Sequence, residues 1–369
     1  MRKFFEFLKE NTVIAVALFA SVVTAFIVRP DKAYLSYFDL KTLTCLFLTL
    51  AVICALKRIQ FFSILAKRIV IRTGNLRVLA LALVYITFIG SMIIANDMAL
   101  ITFLPLGYYS LSVTRNEKHM AYVFVLQNIS ANLGGMITPF GNPQNLYLYS
   151  FFNIPTGEFM GIMWRPFVLA IFLLTVLCFM LKPEKLTLEN SVKQTLPPGK
   201  CTAYLLLMAF SLLIVFRVVP YLVGLLVIPV ILFFMDRKAL LEVDYGLLLT
   251  FTLFFIFSGN MARIELVNSV MSRLLSYNAL IFSELSCQVI SNVPSAILLS
   301  QFTENYRELL LGVNIGGTGT LIASLASLIT FNHYRALYPD HTKEYLLTFA
   351  ALNVFFLVVM TVFSYFFFT

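Results

Sequence analysis

The chain has 369 residues, 60% of them hydrophobic and 12% charged, with a net charge of +9. A soluble domain runs at roughly 45–50% apolar residues, so this composition excludes an ordinary soluble protein and indicates an all-α polytopic membrane protein. The bases fall between apolar runs, where they set topology, so the positive balance does not imply a nucleic-acid partner.

The N-terminus, with Arg2 and Lys3 before an apolar run from Val13, has the look of a signal peptide, but the run is long and everything after it spans the membrane, so it reads as a retained first span. Spans are expected at 11–28 and 39–56. Between 57 and 77, Lys57, Arg58, Lys67, Arg68, Arg72 and Arg77 alternate with apolar residues, the pattern of a helix lying in the membrane interface. A run at 78–112 is interrupted by Asn96 and Asp97, and a run at 119–152 is broken between Thr138 and Asn145 by Pro139, Gly141 and Pro143. A span at 163–181 closes the first half. The polar stretch 182–200 is followed by a connecting helix at 201–219 and spans at 221–235 and 246–258. The order then recurs: an amphipathic stretch at 261–277, an interrupted run at 278–303 around Asn292, a break at Gly316, Gly317 and Gly319, and a closing span at 346–368. The expected organisation is a first inverted repeat over 1–181, a linker and connecting helix over 182–219, and a second repeat over 220–369, with about nine spans and two re-entrant helical hairpins.

The run at 278–303 allows arms of about 13 residues, or about 20 Å, against an apolar core of about 30 Å. It therefore enters and leaves on one side, with Ser291, Asn292, Val293 and Pro294 at its tip. The run at 79–111 is longer, and a hairpin or two short spans both fit. With the N-terminus in the cytoplasm and the C-terminus outside, nineteen of the 27 bases fall on the inner side, as expected of a multi-pass cell-membrane protein. Cys45, Cys54, Cys178, Cys201 and Cys287 read as reduced buried thiols. His119, His333 and His341 form no metal-ligand pattern.

The chemistry sits at the interruptions. The amide oxygens of Asn96 and Asn292 and the carbonyls of an unwound turn suit Na⁺, while the N–H groups starting each second arm attract an anion. Capping of those arms by Asn96, Asp97 and Ser291 is the plain alternative. Asp97 is a carboxylate at membrane depth, able to hold Na⁺, carry a proton, or cap a helix. Glu284, two turns before Asn292, is expected at the hairpin base in interfacial water. Asn128 and Asn132 share a helix face, as cavity lining or as an interhelix hydrogen-bond pair.

These motifs (Ala95 to Leu100, Thr138 to Asn145, Ser291 to Ala296, Gly312 to Gly317) resemble the ion transporter superfamily of sodium/dicarboxylate and citrate symporters, arsenite permeases and one branch of sodium/proton antiporters. The resemblance implies a homodimer in the lipid bilayer with a scaffold and a mobile transport unit moving as an elevator. It implies cation sites at the tips, matching Ser91, Asn96 and Gly141 in one half and Cys287, Asn292 and Gly317 in the other, with Asp97 added as a carboxylate. Candidate substrate ligands are Asn96, Asp97, Asn142, Asn292, Val293 and Thr318. Dicarboxylate symporters carry Ser-Asn-Thr at both tips. Here Asp97 and Val293 replace the threonines, which places the chain nearer the arsenite-permease and antiporter branch. The expected function is a cation-coupled (Na⁺ or H⁺) permease for a small organic or inorganic anion, with a Na⁺/H⁺ antiporter using Asp97 as the alternative. No enzymatic activity and no cofactor beyond the coupling ion are expected.

Overall fold

The computed structural model describes residues 12–186 and 195–368, so the basic N-terminal residues Arg2 and Lys3 and part of the central polar stretch lie outside the described residues. The described chain is helical throughout, with one isolated β-bridge between Asn75 and Lys185. Seven helical segments are long and apolar enough to cross a membrane, and the chain is a polytopic all-α membrane protein.

The helices of the first half are α1 (Thr12–Ile27), α2 (Leu40–Arg58), α3 (Phe61–Val70), α4 (Leu76–Ile94), α5 (Asn96–Val113), α6 (Met120–Gly134), α7 (Pro143–Phe151) and α8 (Thr156–Phe179). After the connecting helix α9 (Pro198–Val215) come α10 (Tyr221–Leu241), α11 (Tyr245–Ala262), α12 (Glu265–Tyr277), α13 (Ala279–Ile290), α14 (Asn292–Leu299), α15 (Tyr306–Ile315), α16 (Leu325–Leu337) and α17 (Thr342–Phe368). The order of parts is the same in both halves. An amphipathic helix (α3, α12) precedes a helix pair joined through one residue (α4 and α5, α13 and α14). A helix interrupted midway (α6 and α7, α15 and α16) follows, and then a long closing helix (α8, α17).

Local chemistry sets the boundaries. Asn75, Asp244, Asn278, Asn305 and Ser324 each cap the helix that follows, accepting a backbone N–H with a side-chain oxygen. Pro143 opens α7, where its missing N–H costs nothing. Helix α10 kinks at Asp236, whose carboxylate accepts from Arg58 Nε at 2.9 Å, tying the end of α10 to the end of α2.

The paired helices and the interrupted helices pack differently. The arms of each pair lie against each other, whereas the two parts of each interrupted helix run on without folding back. Aromatic contacts fix their directions. Phe124, near the start of α6, stacks on His333, and Tyr108 of α5 meets Tyr338 just past α16. At the far end, Phe152 after α7 packs on Tyr306 at the start of α15. The α4–α5 pair and the α13–α14 pair therefore open toward opposite ends of the interrupted helices. The arms differ in length: 19 and 18 residues in the first pair, 12 and 8 in the second. At 1.5 Å per residue those are about 28 and 27 Å against about 18 and 12 Å. The return arm of the second pair is thus shorter than its sequence run suggests, because the chain leaves the helix at Ser300.

Candidate ion and substrate site

Both tips use the same backbone device. One residue separates the arms in each: Ala95, at φ 65° and ψ 154°, and Ser291, at φ 75° and ψ 159°. That region is populated almost only by glycine, and a side chain there costs on the order of 1–3 kcal/mol. The asparagine that follows folds back on its own helix start. Asn96 Oδ1 accepts from the Asp97 N–H at 3.0 Å, and Asn292 Oδ1 from the Val293 N–H at 2.9 Å. Capping and site-building are thus done by the same two asparagines. Asp97 makes no cap bond, and the Ser291 hydroxyl lies 3.4 Å from both Asn292 Oδ1 and the Ala323 carbonyl.

The first tip bonds Asn132, the last polar residue of α6, and the second tip lies near it across Gly317. Asn96 Nδ2 donates to Asn132 Oδ1 at 3.3 Å, and Asn132 Nδ2 donates to Ser324 Oγ at 3.1 Å. A Cβ placed on Gly317 would stand 3.1 Å from Asn292 Nδ2 and 3.8 Å from Asn132 Oδ1, so Gly317 lies between the second tip and Asn132. Below this lies a second layer of amides. Asn142 Nδ2 donates to the Asn132 carbonyl (3.2 Å) and to Asn314 Oδ1 (3.1 Å), and Asn314 Nδ2 donates to Asn145 Oδ1 (2.6 Å). All six asparagines are buried, and Asn142 Oδ1 has no donor. Buried amides survive at this depth only when nearly every one is paired.

Each break is clasped by one amide that the sequence reading left without this role. Asn145 Nδ2 lies 3.2–3.4 Å from the carbonyls of Gly135, Met136 and Thr138. In the second half, Gln288 of α13 reaches across, its Nε2 donating to the carbonyls of Gly316 (2.9 Å) and Thr318 (3.1 Å), while its Oε1 accepts from the Thr320 N–H. The carbonyls freed by unwinding are therefore already shared with protein donors. Gln288 lies four residues before Asn292, in the last turn of α13 before the tip, and a polar amide there inside an apolar run is the signal that would have found it. Gly319, at φ 113°, packs directly on it.

The other residues matched by resemblance lie around the cluster rather than in it. Ser91 is buried where Gly134 brings α6 against α4, and its hydroxyl donates to the Phe88 carbonyl at 2.8 Å. Cys287 holds the corresponding place against Gly316. Gly141 packs on Gly135 and Thr138, and Thr138 Oγ1 ties this break to the first tip by donating to the Met92 carbonyl at 2.9 Å. Thr318 is buried and spends its hydroxyl on the Ile315 carbonyl. Val293 offers only its backbone. Asn128 pairs with Ser327 across α6 and α16 at 3.4 Å. Glu284 departs from expectation. It is buried, not at the water interface, because α17 covers it, and its Oε2 accepts from Thr361 at 2.7 Å.

Asp97 is set apart from the amide cluster. While Asn96 faces Asn132, Asp97 lines a cavity of about 70 Å³ between the first tip, α2 and the start of α11, and its Oδ1 is buried without a donor. The first tip thus presents an amide to one side and a carboxylate to the other.

Comparison with known proteins adds one family and several relatives. Residues 5–305 match the family model described as citrate transporter. An uncharacterized transporter of Methanocaldococcus jannaschii is 34% identical over 295 residues, covering 79% of this chain and 80% of the relative. The inner membrane protein YbiR of Escherichia coli is 31% identical over 278 residues, 73% of each chain.

Proposed function

The chain belongs to the citrate transporter family, and from that premise we propose that it is a secondary active permease that couples Na⁺ or H⁺ to the passage of a small organic or inorganic anion. One observation carries this reading: two tips of closely similar strained backbone, opening toward opposite ends, come together beside two helix breaks, Asn96 bonded to Asn132 and Asn292 lying near it across Gly317. Non-helical backbone at membrane depth persists where it lines a wet site. The N–H groups at the starts of α5 and α14 attract the anion, and the amide oxygens of Asn96, Asn142 and Asn292 attract the cation. Ser91, Gly141, Cys287 and Gly317 set the backbone spacing of the cation sites. Asp97, Val293 and Thr318 border the substrate space.

In this reading the repeats are inverted, the N-terminus is cytoplasmic and the C-terminus external in the cell membrane. The elements carrying tips and breaks move as an elevator against a scaffold in a homodimer. The contacts of the bases support the two-sided arrangement. Arg263 and Arg307 engage segments expected outside (Asp31 and Glu158), Arg217 engages Ile154 outside and Tyr149 near the outer end of the 119–152 run, and Lys118 pairs with Glu184 of the inner group.

The test is uptake of radiolabelled citrate and inorganic oxyanions into proteoliposomes with and without a Na⁺ or pH gradient. Gradient-dependent uptake that is lost in Asn96→Ala and Asn292→Ala supports the reading. Uptake indifferent to both gradients removes it. The placement of Asp97 in its own cavity favours a second reading, Na⁺/H⁺ antiport. Na⁺-driven proton release with no anion present, followed by an internal pH dye, would replace the first reading with the second.

A further inference from the structure

The cavity beside the first tip has a chemistry that the amide cluster lacks. Its polar lining consists of two carboxylates and one hydroxyl: Asp97 at the tip, Asp244 at the start of α11, and Thr49 in the middle of α2. Among the described residues, no lysine, arginine or histidine lines it. Arg58, at the end of α2, is held instead by Asp236 and Glu242. Asp244 is exposed to solvent, so it stands at the mouth, and Asp97 lies inward of it. Thr49 is an independent sign. It is only 5% exposed, and its Oγ1 has no hydrogen-bond partner. Threonines in apolar helices ordinarily bond the carbonyl four residues back, as Thr87, Thr102 and Thr175 do in this chain. Thr49 lines the cavity, and its buried oxygen is left without a partner. A volume of about 70 Å³ holds a small ion with water, since one buried water needs roughly 10–15 Å³.

We propose that Asp97, Asp244 and Thr49 form a sodium site, filled from the Asp244 side, between the first tip and helices α2 and α11. Two carboxylates in a space whose described lining holds no base call for a cation, and oxygen donors suit a hard one. A proton would need one carboxylate oxygen and would make no use of the Thr49 hydroxyl or of the room. The site lies at a seam between the tip and two helices outside the cluster, so a bound ion bridges the two groups of elements. This inference deepens the proposed function by naming where the coupling ion enters. It rests on that function for the ion's role and not for its binding.

The experiment is thermal unfolding of the purified full chain in lipid nanodiscs, titrated with NaCl against choline chloride at constant ionic strength. A ligand of the folded state raises its apparent stability. Wild type is expected to gain stability with Na⁺ and not with choline, and Asp97→Asn to lose the effect. Asp244→Asn, which keeps the cap oxygen on the Leu247 N–H, is expected to raise the half-saturating Na⁺ by about fivefold, the size of an exposed charge's contribution. Thr49→Val is expected to raise it by about threefold, the loss of one modest oxygen contact. Thr49→Val is nearly isosteric, so it carries the test if a carboxylate variant fails to fold. Equal stabilisation by Na⁺ and choline overturns the proposal. So does a Na⁺ effect that neither Asp244→Asn nor Thr49→Val alters. Proteoliposome flux separates this failure from that of the function. Na⁺-coupled uptake with an unchanged Na⁺ dependence in Thr49→Val removes the site and keeps the permease. Variant-sensitive Na⁺ binding without any coupled uptake keeps the site and removes the permease.

Discussion

The two halves solve one backbone problem with different side chains. Each must stop a helix inside an apolar core and hold the freed carbonyls. The first half stops it with Pro139 and Pro143 and clasps the break from within, through Asn145. The second stops it with glycines and clasps it from the neighbouring pair, through Gln288. Around these breaks the tips have the same φ and ψ and the same asparagine fold-back. What differs is charge. The first tip continues into Asp97 and the second into Val293, and a cavity with carboxylates adjoins the first. The shared geometry turns the chain from one arm into the next within a single residue. The unshared carboxylate makes the two tips differ in charge.

The comparison can be broken at several points. The largest effect is expected where backbone meets backbone. A Cβ on Gly134 would lie 2.3 Å from the Phe88 carbonyl oxygen, so Gly134→Ala must part α6 from α4, at a cost of about 3 kcal/mol as for severe overpacking. Gly317→Ala, whose Cβ meets Asn292 Nδ2 at 3.1 Å, is expected to cost about 1 kcal/mol or less by the same measure. Chemical denaturation in micelles compares the two, and equal costs would contradict the difference in clearance between these two glycines.

Next is the tip amide itself. Asn96→Ala and Asn292→Ala are each expected to lower transport at least about tenfold, the loss of roughly 1.4 kcal/mol of binding, with folding retained. If only Asn96→Ala did so, the two tips would not share one site.

A smaller effect of opposite sign is expected from the strained residues. Ala95→Gly and Ser291→Gly relieve a conformation that glycine adopts freely, and after the entropy glycine loses on folding each should stabilise by about 1 kcal/mol. Thermal midpoints measure it, and a fall in both would show that the turns are not strained.

The smallest effect lies far from the tips, where Arg263 Nη2 meets Asp31 Oδ2 at 2.7 Å. The guanidinium bonded to Asp31 holds its carboxyl below the usual carboxylate range. The folded value is thus below the unfolded one of roughly 3.9. The pair's contribution is complete above that unfolded value and fades as the pH falls through the lowered folded one. Asp31→Asn should therefore narrow the gap in thermal midpoint between pH 7 and pH 3, by a small amount because the pair is exposed. An unchanged gap would mean that the pair adds nothing.

Composition and period were enough to establish a polytopic helical membrane protein, because apolar content and run length are properties of the chain alone. The positions of both interruptions were legible for the same reason: asparagine, proline and glycine clusters inside apolar runs have few uses. The tips at Asn96 and Asn292 and the breaks after Gly134 and Ile315 lie where those residues point. The tertiary structure alone decided which polar groups face one another. Asn132 against the first tip, Gln288 across the second break, Glu284 under α17 and Thr49 on one cavity with Asp97 are placements that join segments distant in sequence. Residue type restricts what each side chain needs, but a partner is chosen by where packing brings another backbone, and that depends on all the helices at once.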